Sequence, residues 1–355
     1  MVAYSRLLPV FVVTGYLGSG KTTLINHMLR HPSLGDAAVL VNEFGDVGLD
    51  HMLVQEMDET TVLLQSGCIC CTIRSDLKDS IIELNSKREA GTVPPYKRLI
   101  LETTGLADPS PILFTLNSDT VIKHHYRLGS VIATVDAVNG LSQMKRHPEP
   151  TKQVSVADRI VLTKTDIAEA DEIRRLKSKL TQLNPSADLI EAVNGEVDVR
   201  RMLRADVYDP RTKGAEVRRW LAAEADKAAA DEAHGHAHGH DRNRHDKTIY
   251  SFTVTYDEPL DWTAFGIWLT MLLHRHGENV LRVKGLLNVK GIEAPVVVNG
   301  VQHVVHPPIH LKSWPSDDRR SHIVFIVDGI DRALIERSLA TFNRIGGAAG
   351  HSPAA

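Results

Sequence analysis

The chain has 355 residues, beyond the size at which a single hydrophobic core usually stops growing, so two domains are the starting expectation. With 43% hydrophobic and 24% charged residues it has the make-up of an ordinary globular protein, and no run approaches the 18 or more apolar residues of a membrane-spanning helix. A formal net charge of −3 supplies no general attraction for nucleic acid or anionic lipid, which argues against both as partners.

The apolar run Leu7–Val13 follows Arg6 in the manner of a secretory signal. A phosphate-binding motif comes directly after it and no small-residue cleavage site intervenes, so it reads as a buried first strand, Val10–Thr14. Residues 15–22, GYLGSGKT, satisfy GxxxxGK[ST] between that strand and a helix-forming run, Lys21–Arg30. Gly15, Gly18 and Gly20 let backbone N–H groups turn toward phosphates, Lys21 brings a cation to the β and γ oxygens, and the Thr22 hydroxyl is suited to Mg²⁺.

A strand at Ala38–Asn42 leads into VNEFGDVGLDH, which carries Glu43, Asp46 and His51, and a strand at Thr61–Gln65 leads into SGCICCTIR. Cys68, Cys70 and Cys71 are the only cysteines, too close and too odd in number for a disulfide framework, so a reduced cytoplasmic setting is expected. Thiolates favour Zn²⁺, Cu(I) and related ions. A redox pair or buried apolar cysteines are the alternatives, and a disulfide between the adjacent Cys70 and Cys71 would be strained. Metal binding is the favoured reading. Three thiolates leave a tetrahedral position for water, a receiving protein, or a fourth ligand, with Glu43, Asp46 and His51 nearest in sequence.

After a helix at Ser75–Lys87, the strand Arg98–Glu102 ends in an acid placed for the magnesium site, and Gly105 of ETTG lets an amide approach the γ-phosphate. Further strands fall at Ser130–Asp136 and Arg159–Thr163, and a helix at Ala168–Leu183. VLTKTD, residues 161–166, places Asp166 to accept from the N1 and N2 donors of guanine, with the Lys164 stem over the base. Thr163 stands where the usual NKxD has asparagine, and the exchange is expected to weaken a side-chain tie to the phosphate loop. Strands alternating with helices predict an α/β fold with a mostly parallel sheet.

Residues 222–247 pass through alanine and acid into a histidine-rich stretch with His234, His236, His238, His240 and His245, expected to be a flexible linker. Its imidazoles either collect metal weakly or do nothing specific. Beyond it, strands at Thr248–Tyr256, Leu281–Lys290, Val296–Val298 and His322–Val327 and helices at Trp262–His274 and Asp331–Thr341 predict a smaller α+β domain, 248–345, before a frayed tail at 346–355. His303, His306 and His310 read as surface residues.

Taken in order and spacing, GYLGSGKT, VNEFGDVG, SGCICCTIR, ETTGLADP and LTKTD resemble the CobW-like family of metal-chaperone GTPases, related to UreG and HypB. RVKGLLNV, PVVVNGVQHVVHPP and WPSDDRRSHIVFI are similar to that family's second domain. The resemblance implies a P-loop GTPase domain over 1–221, with Gly18, Ser19, Gly20, Lys21, Thr22 and Thr23 on phosphates and Mg²⁺ and Glu102 supporting the ion. It implies zinc, or secondly Co²⁺, on Cys68, Cys70 and Cys71 and transfer to a client metalloprotein. No residue announces itself as the base that orients water, with Glu43 and Asp46 the candidates, so slow GTP-to-GDP turnover stimulated by metal or client is expected. Because the cysteine loop lies between VNEFGDVG and ETTG, where two switch segments would fall, phosphate state and metal affinity are expected to be linked. A homodimer fits the same expectations. The alternatives are a cobalt chaperone for cobalamin synthesis or hydratase assembly and a nucleotide-dependent metal buffer or sensor without significant catalysis, with an ATP-dependent small-molecule kinase behind them.

Overall fold

In the computed structural model the described residues are 6–41, 62–65, 73–193, 196–204, 217–218, 220–221 and 249–349. Glu43, Asp46, His51, the three cysteines and the 222–247 linker lie outside them. The chain divides into two compact units, residues 1–179 with 187–207 and residues 180–186 with 208–355.

The apolar runs of the first unit become parallel strands with helices between them. They are β1 (Leu8–Gly15), α1 (Lys21–Leu29), β2 (Ala37–Val41), β3 (Val62–Gln65), α2 (Ile73–Glu89), β4 (Arg98–Glu102), α3 (Ser110–Ser118), α4 (Ile122–His125) and β5 (Tyr126–Asp136). There follow α5 (Gly140–Arg146), α6 (Glu149–Val156), β6 (Arg159–Thr163), α7 (Ala170–Leu183), β7 (Asp188–Glu191) and α8 (Val199–Arg204). The sheet order is β3-β2-β4-β1-β5-β6-β7, parallel throughout.

Val10, Val12 and Val13 of β1 are wholly buried, as expected where both sheet faces are covered and the strand reads as a continuous apolar run. Phe11 and Val13 share a cluster with Leu24, Ile25, Met28 and Leu29 of α1 and with Val39, Ile100, Ile132 and Val161. Each such side chain contributes about 1.5–3 kcal/mol on burial, enough to fix the helix that follows the phosphate loop.

β4 lies between β1 and β2, whereas β5 flanks β1 on the other side, so the crossovers from β1 to β2 and from β4 to β5 run to opposite sides of β1. That switch point opens a crevice at the carboxyl edge of the sheet. Register brings Gly15 beside Thr134, Val13 and Val41 beside Glu102, and Asp136 beside Thr163. β5 starts at Tyr126, earlier than the sequence pattern indicates, because a bulge that skips Gly129 lets its first residues pair with Leu8–Val10.

The second unit contains β8 (Ile249–Tyr256), α9 (Trp262–His276), β9 (Val280–Leu287), β10 (Val296–Val301), β11 (Val304–Val305), β12 (Ile309–His310), β13 (Ser321–Asp328) and α10 (Arg332–Ala349). These strands form an antiparallel sheet, β11-β10-β9-β13-β8 with β12 on β10. Phe252, Phe325 and Trp268 centre its core. Asp261 caps α9 by accepting from Ala264 N at 2.8 Å, and Trp268 Nε1 donates to Ser338 Oγ of α10 at 2.9 Å.

Three expectations are corrected here. β9 ends at Leu287 rather than Lys290, since the Asn288 carbonyl leaves the ladder to accept from Leu260 N at 2.8 Å. The last helix continues through residues 346–349, expected as tail, where Ala348 and Ala349 favour helix and no proline stops it. His306 is buried rather than superficial, its backbone N–H donating to Asn299 O at 2.9 Å. No helix among the described residues is long and apolar enough to cross a membrane.

Candidate nucleotide and magnesium site

The loop after β1 is shaped by its glycines. Gly15 has φ +147°, and a Cβ there would stand 2.1 Å from Thr134 Oγ1 and 2.6 Å from Thr134 O, so β5 leaves no room for a side chain. Gly18 and Gly20 also take positive φ. Ser19 N donates to Tyr16 O at 3.1 Å, closing the turn, and Ser19 Oγ lies 2.6 Å from Thr134 Oγ1. Lys21, 9% exposed, extends its ammonium across the loop to Gly15 O at 2.9 Å and Tyr16 O at 3.3 Å.

At the next position Thr22 Oγ1 donates to Glu102 Oε1 at 3.2 Å, joining the start of α1 to the end of β4. Glu102 is buried, and a buried carboxylate is stable only with cations or donors around it. Hydroxyl and carboxylate oxygens are the hard ligands that Mg²⁺ prefers, usually alongside waters and substrate phosphates, so these residues fit that ion. Beyond Glu102, Thr103 N donates to Val13 O at 2.9 Å and Gly105 packs on the phosphate loop, where an added Cβ would lie 2.8 Å from Leu17 N.

The TKTD segment closes the far side. Thr163 Oγ1 donates to Ser19 O at 2.8 Å, so a side-chain tie to the phosphate loop is present with threonine where the usual motif has asparagine. Lys164 takes φ 59°, rare for a residue with a side chain, and its Nζ sits 2.7 Å from Asp136 Oδ2. Asp136 is 1% exposed and also accepts from Val138 N, Asn139 N and Asn139 Nδ2. Burial pushes its carboxyl pKa up, but the Lys164 and Asn139 donors outweigh this and hold it below the ordinary carboxylate value. Asp166 is exposed at the mouth of the same edge.

Residues 9–191 match the model of the CobW/HypB/UreG nucleotide-binding domain, more than half of the chain, and residues 249–343 match that of the cobalamin synthesis protein CobW C-terminal domain. The chain belongs to the CobW/HypB/UreG family. It is 31% identical over 325 residues to the zinc chaperone YjiA of Escherichia coli K12, covering 91% of this chain and 94% of YjiA. It is 28% identical over 367 residues to the zinc chaperone CobW of Pseudomonas aeruginosa, covering 94% and 91%. Among solved structures, Zn(II)-bound YjiA GTPase from E. coli superposes with a TM-score of 0.67 at 26% identity, covering 95% of this chain and 99% of that one.

Within this CobW-family fold, Gly15, Ser19, Lys21, Thr22, Glu102, Gly105, Thr163 and Lys164 converge on one edge of the sheet, with Thr23 following on α1. The proposed metal residues Cys68, Cys70, Cys71 and Glu43 lie outside the described residues, and no group of three or more potential metal-binding side chains occurs among the described ones. Sequence reasoning passed over Thr134 and Asp136, which meet Ser19 and Lys164. An acid ending an apolar strand was a usable signal for Asp136, as it was for Glu102; nothing local distinguishes Thr134 from an ordinary strand residue.

Proposed function

We propose that this chain is a GTP-hydrolysing metallochaperone that carries zinc on Cys68, Cys70 and Cys71 and releases it to a client metalloprotein. The observation that carries the nucleotide half is the Thr22–Glu102 pair beside the Lys21 loop, since it sets hard oxygen ligands next to a cation and a glycine-lined anion cradle. The metal half is supported by the cysteine spacing and by the zinc-chaperone names of YjiA and CobW.

In this reading Lys21 exchanges the Gly15 and Tyr16 carbonyls for β and γ oxygens of GTP, an exchange between acceptors already in reach. Thr22 and Glu102 would hold Mg²⁺, which when bound would supply positive charge against that developing on the phosphates. Asp136 anchors Lys164 so that its stem faces the base while Asp166 accepts from guanine. The phosphate state sensed at the Gly105 loop is coupled to zinc affinity at Cys68, Cys70 and Cys71, which precede β4 in the chain, so that hydrolysis lowers this affinity and favours transfer.

Steady-state GTP turnover with and without Zn²⁺, in wild type and Lys21→Ala, tests the enzyme half; turnover abolished by the substitution is expected. Competition with a chromophoric chelator in GTP and in GDP tests the coupling. Equal zinc affinity in both nucleotides, or undiminished zinc binding by a triple Cys→Ser variant, would overturn the chaperone reading.

A further inference from the structure

One polar side chain outside the assigned set is bonded in a way that bears on the nucleotide reaction. Gln153, on α6, is 1% exposed, and its Nε2 donates to Gly105 O at 3.1 Å and to Ala107 O at 3.0 Å. Two carbonyl partners fix which end of the amide is the NH₂, because turning it over would set oxygen against oxygen. Its Oε1 then has no hydrogen-bond partner among the described residues, while the side chain borders a small pocket shared with Tyr16, Thr134 and Gln143. An apolar side chain of equal size would fill the same volume but take the donor away from both carbonyls, so this position is occupied for its bonds to the loop rather than for bulk.

What Gln153 grips is the segment that closes on the phosphate loop, where Gly105 meets Leu17 too tightly for any side chain. The adjacent Lys152 reaches Asp108 at 3.5 Å, a half-exposed pair that adds a second, weaker hold. From α6 the chain runs straight into β6, whose last residue Thr163 is bonded to Ser19 O. One stretch of chain thus reaches both the γ-phosphate side and the base side of the site.

We propose that Gln153 is a positioning residue of the GTPase cycle, holding the Gly105 and Ala107 carbonyls so that the loop between them adopts the arrangement that distinguishes GTP from GDP. Hydrogen bonds from one carboxamide can break and re-form as the loop moves, with no rearrangement of the core behind it. The inference rests on the GTPase reading above.

The test uses the full chain carrying Gln153→Met, which keeps the volume without the donors, and Gln153→Glu, which sets a carboxylate against the carbonyls. Dissociation constants for a non-hydrolysable GTP analogue and for GDP are measured with kcat, KM and the melting temperature. In both variants the preference for the triphosphate is expected to fall about tenfold through weaker analogue binding alone, as loss of one or two hydrogen bonds implies, with kcat reduced more than KM changes. A preference unchanged in both variants, or loss of both nucleotides in step with melting temperature, would overturn the proposal and leave Gln153 structural. Failure of the wild type to bind guanine nucleotide would overturn the GTPase reading together with it.

Discussion

At the scale of single residues, the site is held by charges that have little water around them. Asp136 ionises at a lower pH than a free aspartate because Lys164 and the Asn139 and Val138 donors need its charged form. A carboxyl whose pKa is depressed by folding stabilises the fold fully above its unfolded value of about 3.9, and that contribution disappears as pH falls through the lower folded value. Asp136→Asn is therefore expected to cost about 1–3 kcal/mol of unfolding free energy at pH 7, with a gap from wild type that narrows as the pH is lowered below about 4. Chemical denaturation at both pH values checks this. Guanine nucleotide affinity should fall as well, because the Lys164 side chain loses its ion-pair partner. Glu102→Gln retains an acceptor for Thr22 but removes a negative charge, so the Mg²⁺ concentration needed for half-maximal GTP turnover is expected to rise about tenfold, read by magnesium titration.

Among the elements, β1 and the loop after it decide how tightly the site is built. Gly15 meets β5 with no room for a Cβ, and Thr134 also bonds Ser19 across the same gap. Gly15→Ala is expected to lose about 1–3 kcal/mol of stability by displacing strand from strand. The same change should abolish measurable GTP binding, which a fluorescent-analogue titration would register. Leu17→Ala, on an exposed side chain of the same loop, should leave stability within about 0.5 kcal/mol of wild type and so separates backbone crowding from loop composition.

Over the whole molecule, the chain folds two cores of different construction. One is a parallel sheet whose carboxyl edge carries the site; the other is an antiparallel sheet centred on Phe325, which stacks on Phe252 at 5.5 Å and meets Trp268 edge-on at 6.3 Å. Phe325→Ala should remove about 3–5 kcal/mol from the unfolding of the second unit, seen by calorimetry as a lowered transition. If GTP and zinc are coupled as proposed, reciprocity requires zinc to raise GTP affinity by the same factor by which GTP raises zinc affinity. A factor of one in both directions would show that the two ligands are not coupled.

The local chemistry of the site was readable from residues alone. A strand-loop-helix sequence with glycines, lysine and threonine at set positions can fold in few ways around an anion, and a strand ending in Glu102 advertises an acid at the sheet edge. Continuous apolar runs likewise announced buried parallel strands, and β4 and β6 fall where those runs begin and end. Only tertiary structure could decide which distant groups complete the site. The bonds of Thr163 to Ser19, Lys164 to Asp136, Ser19 to Thr134 and Gln153 to Gly105 join residues 28 to 144 positions apart. Their partners are chosen by strand order and register, and these follow from how whole faces pack rather than from any short pattern of side chains.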